Sequence, residues 1–305
     1  MYDSLTMFVA SNQPGKIVKA LDAIQEIANR STGEIFFKGN IGNLRVRVKS
    51  NGVFIVGSLA KFHFGNNFEA LTRKDTKAAI ERLSDIIGLD VAQARVYVLE
   101  IGSNFSMQEP VQIYCQCLGE CRFYEKSQYK HGLLYSNLKR SLTFYDKLEE
   151  SGRHKARVPE SFDGAHLLRY ELKFKKRLSA QLGKKEVLAG QLYDESFYTL
   201  VLEKWQSEYF KIRRINKLKI DGIKISSINT PKKLETMLAT IGLQTIGEQN
   251  MVSIIQGKRN VLSKVQLSRL KAKIRELAQS DTATMPQEAI LELDSKIRQA
   301  VACSR

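Results

Sequence analysis

The sequence predicts an α+β fold: an antiparallel-sheet domain over residues 1–190, followed by a basic, mainly helical region over 191–305. Three observations carry this. Apolar and polar residues alternate with period two in segment after segment of the first part, the signature of half-buried strands. After about Gly190, longer segments with helical apolar spacing replace them. Positive charge concentrates in the same later part, with 16 Lys+Arg against 4 Asp+Glu between Lys204 and Arg275. A chain of 305 residues, 43% hydrophobic, has ample material for the core of one large or two modest domains.

Taken in order, the first clear element is a hairpin. Leu44, Val46 and Val48 alternate with Arg45, Arg47 and Lys49, and Asn51-Gly52 then turns the chain into a strand from Val53 to Leu59. A helix is expected from Asp75 to Ile87, capped by Asp75 and striped by Ile80, Leu83 and Ile87. Arg95 to Ile101 reads as a strand and Pro110 to Gly119 as a helix with proline in its first turn. Gly132 to Asn137, Arg140 to Leu148 and Leu167 to Lys175 complete the expected strands. In the basic region, a helix near Val261 to Gln279 places Leu267, Leu270, Ile274 and Leu277 in one stripe. Lys264, Arg269, Lys271, Lys273 and Arg275 project largely elsewhere. One such helix alone reads as a solvated face; the clustering of charge around it points to a DNA-binding surface.

The whole chain carries 48 Lys+Arg and 32 Asp+Glu, a net +16 at neutral pH. Such a field favours polyanions, because each neutralised phosphate releases a condensed counterion. Nucleic acid is therefore the expected partner. No apolar run approaches the ~20 residues that span a bilayer, and Met1 to Ala10 lacks the basic and apolar regions of a signal peptide. A cytoplasmic protein with no membrane partner is expected. Cys115, Cys117 and Cys121 crowd one apolar segment while Cys303 stands apart, a pattern of buried thiols rather than a disulfide framework or a zinc site. His63, His131, His154 and His166 are isolated and read as structural or surface residues.

Strand parity then groups the reactive side chains. Thr143, Tyr145 and Lys147 point one way while Leu142 and Phe144 point the other. Arg169, Glu171 and Lys173 oppose Tyr170, Leu172 and Phe174, so Glu171 need not be buried. Glu100 ends a nearly continuous apolar strand, shares its face with Val96 and Val98, and requires a partner. If these strands are neighbours, the sheet presents two carboxylates, a phenol and several cations, the parts of a metal-assisted phosphoryl-transfer site. A phenol with a reference pKa near ~10 is a weak nucleophile without such help. The same pattern also fits Tyr145 as edge packing, Lys147 as solvated charge, and Glu171 paired to Arg169 or a cross-strand lysine.

Six short segments carry a resemblance: Met1-Tyr2-Asp3-Ser4-Leu5; Gly57-Ser58-Leu59-Ala60-Lys61; Gly65-Asn66-Asn67; Leu99-Glu100-Ile101-Gly102 with Asn104-Phe105; Ser141-Leu142-Thr143-Phe144-Tyr145-Asp146-Lys147; and Leu168-Arg169-Tyr170-Glu171-Leu172. In this order they resemble the gene II/gene X family of phage and plasmid replication initiators, and the later helical part resembles that family's C-terminal region. The resemblance implies rolling-circle initiation: site- and strand-specific nicking of phage or plasmid origin DNA through a 5′-phosphotyrosyl intermediate. Strand displacement by a host replication helicase and polymerase, and rejoining without ATP, would follow. It implies Tyr145 as nucleophile, with Lys147 beside it; Glu100, Glu171 and Asp3 as acids that hold Mg²⁺ or Mn²⁺; and Lys61 and Asn67 as DNA contacts. Arg169, Lys173, Lys264, Lys271 and Lys273 join the expected DNA contacts, and Tyr129 and Tyr135 are the next candidate nucleophiles.

Two departures mark this chain. Where filamentous-phage members carry Arg-x-Asp, it has Val98-Leu99-Glu100. It also lacks the His-hydrophobe-His pair of the better-known rolling-circle nucleases, so the carboxylate site of the Rep-trans plasmid initiators is the nearer likeness. Two rival functions share the pattern: a relaxase for plasmid mobilisation, and a non-catalytic DNA-binding repressor on a decayed nuclease fold, which would footprint DNA without cutting it.

Overall fold

The alternating segments become one antiparallel sheet of ten strands. A computed structural model describes the chain except residues 29, 30, 32, 154–157, 163, 216, 219–228, 259, 279–283, 286, 304 and 305. The elements run β1 (Tyr2–Ala10), β2 (Asp22–Ala28), β3 (Ile35–Ile41), β4 (Leu44–Lys49), β5 (Gly52–Ser58), α1 (Leu59–Phe64), α2 (Arg73–Ile87), β6 (Arg95–Met107) and α3 (Val111–Cys117). They continue through β7 (Leu118–Cys121), β8 (Glu125–Tyr129), β9 (Gly132–Ser136), β10 (Arg140–Asp146), α4 (Lys147–Arg153), β11 (His166–Phe174), α5 (Leu178–Gln181) and α6 (Glu195–Phe210). Sheet order is β2-β3-β4-β5-β1-β6-β11-β10-β9-β8.

The β4–β5 hairpin forms where Asn51-Gly52 predicts it. Gly52 is required there, because its φ is 149° and a Cβ would lie 2.3 Å from the carbonyl oxygen of Val9. Strand β6 runs on past the expected Ile101 to Met107, and two other element ends are set by caps. The cap of α2 is Thr72, whose hydroxyl accepts the Asp75 N–H at 3.1 Å while Asp75 accepts the Thr72 N–H at 3.0 Å. Strand β10 stops at Asp146 instead of Leu148, because the Asp146 carboxylate accepts the N–H groups of Leu148 and Glu149 and starts α4. Cys115, Cys117 and Cys121 are buried and outside any disulfide.

The apolar side of the sheet packs an aromatic cluster against α6. Phe144 stacks on Tyr170 at 4.6 Å between centroids, and Tyr170 lies 4.8 Å from Trp205 and 5.7 Å from Tyr209. The Tyr170 hydroxyl donates to the Trp205 carbonyl at 3.0 Å, so burial leaves it satisfied. The sheet and α6 belong to the first unit, which comprises Met1–Cys115, Glu120–Ile212 and Ser295–Arg305.

The second unit comprises Gln116–Gly119 and Arg213–Asp294. Its helices α7 (Pro231–Ile246), α8 (Glu248–Gln256) and α9 (Lys264–Ala278) close a small core of Leu243, Val252, Ile274 and Ala278, flanked by Met251, Ile255 and Leu277. Of the predicted α9 stripe, Ile274 and Leu277 pack there and Leu270 stays exposed. The last helix is α10 (Glu288–Ala302). Among the described residues no helix is long and apolar enough to cross a membrane.

Candidate active site

Four neighbouring strands deliver the reactive side chains: Asp3 on β1, Glu100 on β6, Glu171 on β11 and Tyr145 on β10. In register, Lys173 stands opposite Glu100, Glu171 opposite Gly102, and Arg169 opposite both Asn104 and Tyr145. Directly opposed residues of antiparallel strands share a face. Two irregularities adjust that face. One extra residue of β1 lies between Tyr2 and Leu5; this bulge sends both of those side chains into the core and turns Asp3 to the opposite side. A second, on β6, leaves Val96 in the core, so Glu100 shares its face with Val98 but not, as parity predicted, with Val96.

One oxygen from each of Asp3, Glu100 and Glu171 lies within 4.8 Å of the others. Cation–oxygen bonds of about 2.0–2.6 Å bring the ligands of one ion to such separations. Basic side chains interleave with the acids. The Arg169 guanidinium bonds Asp3 through Nη2 and Glu171 through Nε, the latter at 2.5 Å. Its Nη1 donates to the Asn67 carbonyl at 3.1 Å and to Asn104 Oδ1 at 3.0 Å. Lys173 Nζ meets Glu100 at 2.7 Å, the partner that this acid was expected to need. Asp3 also accepts from Ser58 Oγ at 2.5 Å and Asn67 Nδ2 at 3.1 Å. Gly102 leaves room for the network: a Cβ there would sit 3.0 Å from both Arg169 Nη2 and Glu171 Cγ.

The Tyr145 hydroxyl donates to Glu171 Oε1 at 3.0 Å. Burial and the negative charge of Glu171 push its pKa far above the usual phenol range, with Arg169 opposing. Burial and then Glu171 push Glu100 up to about 7 against the pull of Lys173. Burial would raise Asp3 too, but Arg169, Ser58 and Asn67 outweigh it and hold that acid below its ordinary value.

The polar face is therefore enclosed where a solvated one was expected. Residues 65–68 cross it, with the carbonyls of Asn67 and Phe68 accepting from Asn104 and Arg169. Glu171 is 9% exposed and Arg169 3%, so both are buried, and the Arg169 guanidinium is engaged by Asp3, Glu171 and the oxygens of Asn67 and Asn104. Asn67 likewise spends its amide on Asp3. Lys147 is 2% exposed instead of solvated; in the first turn of α4, Nζ bonds Glu150 at 2.5 Å and lies 5.3 Å from the Phe68 ring centroid. Burial lowers its pKa against the pull of Glu150. Lys61 is exposed and Lys173 half-buried. On α9, Lys264 and Lys273 are exposed and Lys271 is half-buried, with Lys273 pairing to Glu276 at 2.6 Å.

Tyr135 is fully buried on the apolar side, edge-on to Phe144, whereas Tyr129 is exposed. His63 lies 3.8 Å from Asp75 and His131 3.8 Å from Glu149, both away from the acid cluster; His154 falls outside the described residues. Ser58, Gly102 and Asn104 belong to the network although sequence reasoning gave them no role. The alternation of Glu100, Gly102 and Asn104 along β6 was the available signal for two of them.

The family model for the N-terminal part of the gene II-type replication-associated protein matches residues 1–208. That span, about two thirds of the chain, holds all four strands of the site. Among curated proteins, none matches. With its acids and tyrosine on the matched strands, the chain belongs to the gene II-type family of phage replication initiators.

Proposed function

We propose that the protein nicks one strand of phage or plasmid origin DNA by transferring a 5′ phosphate to Tyr145, and reseals it by the reverse transfer. The observation that carries this reading is the 3.0 Å hydrogen bond from the Tyr145 hydroxyl to Glu171, one member of a three-acid cluster. In the forward step the phenolic oxygen attacks the scissile phosphorus. The new P–O bond forms as the bond to the 3′ oxygen breaks. The phenol proton passes to Glu171, and the leaving 3′ oxygen takes a proton from solvent. One phosphodiester is exchanged for another, so resealing needs no ATP.

Asp3, Glu100 and Glu171 would hold Mg²⁺ or Mn²⁺, which supplies Lewis-acid polarisation of the phosphodiester and offsets the negative field at the phenol. Arg169 fixes the Asp3 and Glu171 carboxylates, and Lys147 adds a buried positive charge that Asp3 feels. Lys61 and Lys173, and on α9 Lys264, Lys271 and Lys273, are assigned to DNA phosphates, which position the duplex. The setting is the cytoplasm of a bacterial host, whose helicase and polymerase unwind and copy the nicked origin.

The test mixes purified protein with supercoiled DNA carrying its origin, with and without Mg²⁺ or Mn²⁺. A nicked circle with a protein-linked 5′ end, formed only with the ion, is expected. Footprinting of the origin without any nicking would favour the repressor reading instead.

A further inference from the structure

We infer that a notch beside Tyr145 receives an unstacked base of the cleaved strand, next to the scissile phosphate. This rests on the nicking reading and deepens it by naming a nucleotide contact. The notch follows from the pairing of three strands. Tyr129 of β8 stands opposite Gly132 of β9, and Gly132 stands opposite Tyr145 of β10. All three therefore share one face. Neighbouring strands are about 4.8 Å apart, so the backbones of the two tyrosines are separated by about 10 Å with no side chain between them.

A cavity of about 260 Å³ lies at this gap, lined by Tyr129, Gly132 and Tyr145 together with His131, Lys130 and Arg153. The gap cannot readily be filled from below. A Cβ on Gly132 would lie 2.6 Å from the Phe144 carbonyl oxygen and 3.0 Å from the Tyr145 Cβ. Its walls have the chemistry of a base site. Tyr129 is 56% exposed, an aromatic ring offered to solvent on an edge strand. Every base has a π face that can stack on such a ring. His131 lines the same gap, with its Nδ1 facing Glu149 at 3.8 Å. Lys130 and Arg153 are exposed cations suited to flanking phosphates. Tyr145 belongs to both places, its hydroxyl bonded to Glu171 and its residue lining the notch. A strand whose phosphate reaches that hydroxyl brings an adjoining base to the gap.

The test uses the full chain and a thymidine oligomer of about ten nucleotides carrying one central 2-aminopurine, whose fluorescence is quenched on stacking. Wild type and Tyr129→Phe should bind and quench it, whereas Tyr129→Ala should lose the quenching and bind about tenfold more weakly. Quenching and affinity in Tyr129→Ala equal to wild type would overturn the notch, as would a wild type that leaves the probe unquenched. Tyr145→Phe keeps its ring and should still quench. A 5′ adduct formed by Tyr145→Phe would refute the nicking assignment without touching the quenching result, so the two ideas fail separately.

Discussion

Consider replacing Glu100 by Gln in protein stripped of divalent ions. Burial and the charge of Glu171 push Glu100 from its ordinary 4.5 to about 7. A folded pKa above the unfolded one means that the folded state holds the proton more tightly, so stability is greatest below about pH 4.5 and falls as pH rises through 7. Each unit of displacement corresponds to about 1.4 kcal/mol, so at pH 8 the ionised acid costs up to about 3 kcal/mol. The side chain is only 13% exposed, and solvent screens little of this. Gln keeps the shape and removes the charge. In EDTA at pH 8, Glu100→Gln should therefore be more stable than wild type by about 2–3 kcal/mol, and at about pH 4 nearly equal to it. Urea denaturation followed by fluorescence of Trp205, the sole tryptophan and fully buried in the sheet-bearing unit, reports that unit directly. Mn²⁺ should reverse the order, because wild type binds with three acids and the variant with two. A variant less stable at pH 8 in EDTA, or equal stabilisation of both proteins by Mn²⁺, would refute the reasoning.

Arg169→Met should destabilise the metal-free protein by about 3–5 kcal/mol, since it strands two buried acids, and Mn²⁺ should recover part of the loss in thermal or urea unfolding. Gly102→Ala pushes a Cβ against Arg169 and Glu171; metal-dependent nicking should fall by about a hundredfold while the circular dichroism spectrum stays that of wild type. An unchanged nicking rate would show that the acids tolerate displacement. Neutralising Lys264, Lys271 and Lys273 together should weaken duplex binding and lower the slope of log K against log salt by up to about 2.7. An unaltered slope would mark them as solvated charge.

How far these features were legible depended on local geometry. The two faces of strand β11 were legible, because Arg169, Glu171 and Lys173 alternate with Tyr170, Leu172 and Phe174 and no bulge interrupts the parity; the burial of both faces was not. That Glu100 needs a partner followed from burial; that the partner is Lys173 is decided by the β6–β11 register, which no local pattern encodes. Asp3 was reached only through family resemblance. The bulge in β1 that turns it toward Arg169 changes parity without any change in composition. Lys147 was misplaced because alternation continues through Asp146, whose carboxylate caps a helix and ends the strand. The enclosure of the polar face comes from residues 65–68 crossing distant strands, a non-local event. The packing of Trp205 and Tyr209 of α6 on Tyr170 of the sheet is likewise non-local. Edge strand β8, Glu125–Tyr129, escaped notice because its polar run carries no apolar alternation.

The most direct measurement of the central claim is to trap the covalent product and find the linked residue. After nicking of labelled origin DNA with Mn²⁺, tryptic digestion cuts after Arg140 and Lys147 and releases Ser141–Lys147, a peptide with a single tyrosine. The mechanism predicts the 5′ nucleotide on Tyr145 in that peptide, and no linked peptide from Tyr145→Phe. A nucleotide on the peptide that contains Tyr129, or an adduct that survives in Tyr145→Phe, would contradict it.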